Sequence, residues 1–361
     1  MRTLIAGGGT GGHLTPALAV AQALRHADPE GDVLLVGRRG GVAERLVTGA
    51  GLRLETLDVS GVDASSPLSI GRAAARLPAA VITALGLVRR YRPDVVVGTA
   101  GYVCVPVIMA ARLARVPFVL LEQNAHPGRA IRMLSRRAHV VASSYTETER
   151  HLPGVRVVET GNPVRPEVSR GAPAPLRDRC GHILVMGGSQ GARRINDALA
   201  GCIRDLLEEF PELTVTHQCG ALDAEWAVPA AAGLAEGLRE RYRVSPFIDD
   251  VAAALREADL VVMRAGGSSL AECSALGRPM ILVPYPHAGA HQADNAAPYV
   301  TAGAAVLIDD AQCTPERLES ELEAVLADTA RWRAMAAASA AAGRPDATTR
   351  VVELVREVAG G

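Results

Sequence analysis

Residues 182–193, His182-Ile183-Leu184-Val185-Met186-Gly187-Gly188-Ser189-Gln190-Gly191-Ala192-Arg193, decide the fold. A short run rich in Ile, Leu and Val reads as a buried strand, glycines end it, and a helical pattern follows. A strand that runs through a glycine turn into a helix is the repeating unit of a parallel α/β sheet, and the turn offers backbone N–H groups to an anion. The chain opens on the same construction. Thr3 to Ala6 is a strand, Gly7-Gly8-Gly9-Thr10-Gly11-Gly12-His13 is the loop, and Thr15-Pro16 suits the N-cap and first turn of a helix from Ala17 to Leu24.

Outward from these two units, strands are expected at Val33 to Val36, Val95 to Gly98, Phe118 to Leu121 and Val140 to Ala142 in the first half. The second half adds Leu213 to His217, Asp259 to Met263, Pro279 to Val283 and Ala305 to Ile308. Helical stretches separate them, so the fold class is α/β with two Rossmann-like, doubly wound halves. A chain of 361 residues also exceeds what one core usually serves. The Pro- and Arg-rich stretch after Gly161-Asn162-Pro163 marks the boundary, giving domains 1–163 and 164–340. The Ala-rich end from Pro315 reads as two or three helices, of which the last, 341–361, is free to pack back on the N-terminal domain.

Lys and Arg number 38 against 39 Asp and Glu, and a net charge of -1 argues against nucleic acid as a partner. The six cysteines, Cys104, Cys180, Cys202, Cys219, Cys273 and Cys313, show no metal-ligand spacing and read as buried thiols. Met1 and Arg2 lead straight into an apolar strand without a secretory cleavage site, which predicts a cytoplasmic protein. The longest apolar run, Leu77 to Val88, is too short to span a bilayer. It lies in a segment from Leu68 to Arg90 where Leu68, Ile70, Val81, Ile82, Leu85 and Leu87 mix with Arg72, Arg76, Arg89 and Arg90. That mixture fits either an interfacial surface on anionic lipid or a core helix with a basic outer face.

Ligands of doubly wound folds bind beyond the carboxyl ends of the strands. Gly7, Gly9 and Gly12 match a dinucleotide fingerprint, and Arg38-Arg39 after the second strand suit a 2′-phosphate, which keeps an NADP oxidoreductase open. Two anion loops, one in each half, favour instead two phosphorylated ligands, as in transfer from a nucleotide-sugar to a phosphorylated acceptor. A third cluster, Arg264-Ala265-Gly266-Gly267-Ser268-Ser269-Leu270-Ala271-Glu272, places a carboxylate one helical turn in, where it can accept ribose hydroxyls or simply favour a helix start. Pro284 to His287 and His291-Gln292-Ala293-Asp294-Asn295 carry groups suited to sugar hydroxyls. Gly101-Tyr102 and Glu122-Gln123-Asn124 occupy strand ends in the first half, and His13, beside an anion loop, is a candidate general base or an anion ligand. No Asp-x-Asp occurs. Asp249-Asp250 and Asp309-Asp310 are the adjacent aspartates that could hold a divalent ion, and helix N-termini can offset leaving phosphate charge instead, so chemistry without metal or cofactor is expected.

Taken together, Gly8 to His13 with Pro16 to Ala19, Glu122-Gln123-Asn124, Gly161 to Arg165, Gly187 to Arg193 with Asn196, and Ala265 to Glu272 follow a known order. With Phe247-Ile248-Asp249-Asp250, Gln292 to Ala296 and Gly343 to Ala347, the chain resembles the MurG family of glycosyltransferases, glycosyltransferase family 28, over almost its full length. The resemblance implies a GT-B fold, with two Rossmann-like domains facing across a cleft. It implies inverting transfer of N-acetylglucosamine from UDP-N-acetylglucosamine to the 4-hydroxyl of undecaprenyl-diphosphate-linked N-acetylmuramyl-pentapeptide, at the cytoplasmic face of the cell membrane. Thr10, Gly11, Gly12 and Asn124 would then meet the sugar or acceptor diphosphate. Arg165, Ser189, Ile248, Gly267, Ser268, Ser269, Leu270, Ala271, Glu272 and Gln292 would bind the donor: Ile248 the uracil, Glu272 the ribose, Ser189 the diphosphate and Gln292 the sugar. His13 is the candidate base, with Glu122 and Tyr102 positioning it or the acceptor, and the Leu68 to Arg90 segment becomes a membrane-docking surface. The chain departs from the family pattern at Leu121, where a histidine is usual, and at Ala130-Ile131-Arg132, where Thr-Asn-Arg is common.

Overall fold

The computed structural model describes residues 1–7, 11–40, 42–59, 67–188, 191–286 and 291–360. The chain divides into two compact units, Met1–Pro166 with Asp346–Gly361, and Glu167–Pro345.

The first unit holds β1 (Arg2–Ala6), β2 (Asp32–Arg38), β3 (Arg53–Leu57), β4 (Val95–Gly98), β5 (Phe118–Glu122), β6 (Val140–Ser143) and β7 (Val157–Glu159). They pair in the order β3-β2-β1-β4-β5-β6-β7, and the pairings are parallel, with Ala6 level with both Val36 and Gly98. The second unit holds β8 (His182–Met186), β9 (Thr214–Gln218), β10 (Tyr242–Ser245), β11 (Leu260–Met263), β12 (Met280–Leu282) and β13 (Ala305–Leu307). Their order is β10-β9-β8-β11-β12-β13, with Met186 level with Met263. In each sheet the chain winds outward one way and then restarts beside its first strand. The switch points are β1/β4 and β8/β11, where doubly wound folds open a ligand crevice.

Helices cover both faces of these sheets, so central strands must be apolar on both sides. The Val-Val-Val-Gly of β4 and Leu-Val-Val-Met of β11 are buried throughout. The three strands absent from the sequence reading, β3, β7 and β10, are all sheet edges. Arg-Leu-Glu-Thr-Leu in β3 is half-exposed and alternates, and an edge strand with one wet face needs no continuous apolar run.

The first helix is Gly11–Ala27, with Pro16 inside it. The expected start at Ala17 is therefore wrong by well over a turn. Pro16 is the sixth residue of this helix, past the first turn, so it forgoes the backbone bond that an N–H at this position would make to the carbonyl four residues earlier. The three terminal helices are Pro315–Leu326, Thr329–Ala342 and Ala347–Gly360. The last packs in the first unit, where Val351 and Val355 share a core with Ile5, Leu14 and Val20.

The helix Pro67–Tyr91 packs mainly against the helix Cys104–Leu113 and buries Ala84, Leu87 and Val88 in a core shared with residues of β1, β2 and β4. Ile82 on its outer side is 71% exposed, and Arg72, Arg76, Arg89 and Arg90 are exposed with it. The side chains of Leu68 and Ile70 lie outside the described ones. No helix among the described residues is long and apolar enough to cross a membrane.

Candidate active site

In the first unit, three strand ends converge at the β1/β4 switch point. Residues 8–10, including Thr10, lie outside the described residues; Gly11 and Gly12 open the helix that follows. His13 sits in the first turn of that helix. Its Nδ1 is sealed from solvent and finds no hydrogen-bond partner among the described residues, and burial lowers the ring's pKa to about 4. The imidazole is therefore neutral at physiological pH and able to accept a proton. Thr99, just past β4, donates its Oγ1 hydrogen to the His13 carbonyl at 2.9 Å, and its N–H donates to Ala6 O at 2.9 Å. Gly7 makes this closeness possible, since a Cβ there would stand 2.6 Å from Thr99 Oγ1. Thr99 was not singled out from the sequence; a hydroxyl residue before Gly101-Tyr102 was the available signal. Ala100 and Gly101 both take positive φ, 67° and 82°, and turn Tyr102 outward, where it is 44% exposed.

At the end of β5, Glu122 is buried. Its Oε1 accepts from Asn124 N at 2.9 Å and Asn124 Nδ2 at 3.0 Å, and its Oε2 accepts from Gly128 N at 2.8 Å. Burial raises its pKa, and these donors pull in the opposite direction. The carboxylate thus holds the turn that carries Asn124. Of the departures from the family pattern, Leu121 and Ile131 are buried core residues and supply packing on the inner side of the loops, while Ala130 is half-buried.

In the second unit the loop after β8 includes Gly187, Gly188 and Gly191, and leads to the helix Arg193–Glu209. Ser189 and Gln190 lie outside the described residues. Gly191 has φ 91° and lies so close to the turn after β9 that a Cβ would be 2.3 Å from Cys219 O. Across the switch point, β11 leads to the helix Gly267–Ala275, capped by extended Gly266. Gly267, Ser268 and Ser269 form its first turn, an anion-favouring N-terminus, while Leu270 and Glu272 are buried and Ala271 is half-buried.

Arg264 supports this side. It donates to Val283 O at 3.0 Å and Pro284 O at 3.3 Å, pairs with Asp310 at 2.5 Å, and lies 5.4 Å from the Tyr285 ring centroid. Tyr285 N in turn donates to Gln292 Oε1 at 2.8 Å. Residues 287–290, with His287, lie outside the described residues. Ile248 is half-buried between exposed Phe247 and Asp249. Asp250 caps the helix Val251–Glu257 by accepting from Ala253 N at 2.8 Å. Of the two acid pairs, then, one member caps a helix and one neutralises an arginine. Arg165 is half-buried and belongs to the first unit. All six cysteines are buried free thiols.

Residues 3–143 match the glycosyltransferase family 28 N-terminal domain and residues 182–351 match the C-terminal domain of the same family. The chain belongs to glycosyltransferase family 28. It is 40% identical over 361 residues to the UDP-N-acetylglucosamine--N-acetylmuramyl-(pentapeptide) pyrophosphoryl-undecaprenol N-acetylglucosamine transferase of Syntrophotalea carbinolica, covering 100% of this chain and 99% of the relative. It is 38% identical to the enzyme of that name from Desulforudis audaxviator, again over 100% and 99%. Among solved structures, MurG from Acinetobacter baumannii superposes with a TM-score of 0.76 at 30% identity, covering 99% of each chain. The UDP-GlcNAc 2-epimerase of Neisseria meningitidis shares the fold at 14% identity, with a TM-score of 0.69. Family 28 membership makes the chain a GT-B glycosyltransferase and sets aside the nicotinamide-dependent alternative.

Proposed function

We propose that this chain transfers N-acetylglucosamine from UDP-N-acetylglucosamine to the 4-hydroxyl of a lipid-diphosphate-linked N-acetylmuramyl-pentapeptide, a step of peptidoglycan synthesis. The observation that carries the reading is full-length identity of 40% to a transferase of that name, joined to a glycine loop at the switch point of each sheet. In this reading the acceptor hydroxyl oxygen attacks the anomeric carbon, the bond from that carbon to the UDP oxygen breaks, and UDP leaves with the electron pair, inverting the centre. His13 takes the hydroxyl proton. With Nδ1 sealed, Nε2 is its accepting nitrogen.

Asn124, held by Glu122, and the loop Thr10 to Gly12 meet the acceptor diphosphate, with Tyr102 beside them. Ser189 in the loop after β8 meets the donor diphosphate, and helix N-termini stabilise the charge that develops as UDP departs. Ile248 meets the uracil, Glu272 the ribose, Gln292 the sugar, and Arg165 the donor; Gly267 to Ala271 form the turn on which it rests. The outer face of the helix Pro67–Tyr91, with exposed Ile82 among four arginines, rests on anionic lipid at the cytoplasmic face of the cell membrane, so the enzyme is peripheral.

The test is UDP release from UDP-N-acetylglucosamine in detergent, with and without the lipid-linked muramyl-pentapeptide. Acceptor-dependent release is expected, with kcat lowered at least about a hundredfold in His13→Ala, as loss of a general base requires. Donor binding without acceptor-dependent release would sink the acceptor assignment, and full turnover by His13→Ala would remove His13 as the base.

A further inference from the structure

A chain of buried hydrogen bonds runs from the second unit's edge strand to the turn beneath its glycine loop. Tyr242 Oη lies 2.8 Å from His217 Nδ1, and His217 Nε2 lies 2.9 Å from Asn196 Oδ1. Asn196 Nδ2 donates to Cys219 O at 2.8 Å and to Asp223 Oδ2 at 2.7 Å. Asp223 Oδ1 accepts from Arg193 Nη1 at 2.9 Å and Trp226 Nε1 at 3.1 Å. His217 is 1% exposed and Asn196 is fully buried.

The chemistry of the groups fixes every proton in this chain. A carbonyl and a carboxylate only accept, so the Asn196 NH2 must face Cys219 and Asp223, and its Oδ1 must accept from His217. The neutral ring therefore carries its hydrogen on Nε2, and Tyr242 donates to the Nδ1 lone pair.

The Cys219 carbonyl at the end of this chain is the surface on which Gly191 lies, so close that no Cβ fits between them. Asn196 holds that oxygen and also stands in the second turn of the helix that the glycine loop opens. Loop, helix start and underlying turn thus share one side chain, whose NH2 is turned by Cys219 O and Asp223 and whose Oδ1 is held by His217. An apolar core would have been the simpler solution at β9, since buried polar groups add little net stability and are costly when unpaired. What the polar chain adds is a fixed position for one carbonyl.

We propose that His217 is a positioning residue for the donor: through Nε2–H it holds Asn196 in place, and Asn196 holds the Cys219 carbonyl on which Gly191, the last glycine of the loop read as the donor-diphosphate site, is seated. This rests on the reading of that loop as the diphosphate site. The function of His217 is thereby felt by phosphate and not by the nucleoside.

The experiment is calorimetric titration of the full chain with UDP and with uridine, in wild type, His217→Leu, His217→Gln and Tyr242→Phe, each checked for folding by thermal melting. Wild type should bind UDP more tightly than uridine. His217→Leu should lose about fivefold to tenfold of that preference with uridine affinity unchanged, the size expected for one misplaced buried hydrogen bond. His217→Gln, whose amide reaches the place of Nε2 and still donates to Asn196, should recover most of it. Tyr242→Phe should lose a smaller part, because the ring keeps its bond to Asn196 but loses the hydroxyl that holds its Nδ1 edge, and it decides the matter if His217→Leu does not fold. A wild-type preference that survives in His217→Leu, or in Tyr242→Phe where that variant must stand in, overturns the inference, as does equal loss of uridine and UDP binding. A wild type that binds UDP no better than uridine overturns the diphosphate reading of the loop itself, and the inference with it.

Discussion

Glu122 illustrates how a single side chain can be visible in sequence while its task is not. Its place at a strand end in Glu-Gln-Asn marks it as ligand-facing, and a carboxylate there invites an acid–base role. In the fold its two oxygens accept three N–H groups from Asn124 and Gly128, which makes it the frame of the turn. A glutamine could offer only one carbonyl oxygen and would push an NH2 group against donors. Glu122→Gln should therefore lower stability by about 1–3 kcal/mol and raise the KM for acceptor more than it lowers kcat. A melting temperature equal to wild type would show that the turn does not depend on the carboxylate. Leu121 and Ile131 teach the reverse lesson. They differ from the family pattern in sequence, yet both point into the core, so the fold absorbs the difference as packing.

At the scale of elements, apolar runs located the buried central strands, because a strand covered on both faces has no choice of composition. Edge strands β3, β7 and β10 escaped, since their pairing is decided by the neighbouring strand and their own side chains stay half wet. The helix Gly11–Ala27 began earlier than Thr15-Pro16 suggested because glycines, poor helix formers on their own, are drawn into the helix by the tertiary seat that Thr99 and Ala6 provide. Caps belong to this scale too. Asp250, one of the acids that a divalent ion would have needed, is the N-cap of Val251–Glu257. Asp250→Ala should cost about 1 kcal/mol, and Asp250→Ser should restore most of it. A serine that fails to restore the melting temperature would point to a use of the carboxylate other than capping.

Across the whole molecule, two histidines of the described residues, His13 in the first unit and His217 in the second, are held far below the ordinary imidazole range. Burial lowers both to about 4, with the Asp223 charge opposing the shift at His217. Because the folded value lies below the unfolded one near 6.5, the unfolded chain binds more protons between the two. The stability tied to each ring is then fully present above pH 6.5 and is lost as pH falls through that value toward 4. For His217 the change is on the order of 3 kcal/mol. Denaturant midpoints at pH 7 and pH 4.5 should fall less far apart in His217→Gln than in wild type; an identical fall would show that His217 does not titrate with unfolding. The sequence by itself determined the two α/β halves, the two glycine loops and the residues at the strand ends, because hydrophobic period and glycine turns are local signals. Only the tertiary structure decided that Glu122 holds Asn124, that Arg264 holds the Tyr285 turn, and that Tyr242, His217 and Asn196 form one chain. Arg264 and Val283, His217 and Tyr242, and His217 and Asn196 stand 19, 25 and 21 residues apart, and Glu122 meets its near neighbour Asn124 only through the turn that the fold sets after β5; hydrogen-bond partners are chosen by distance after the sheets have formed.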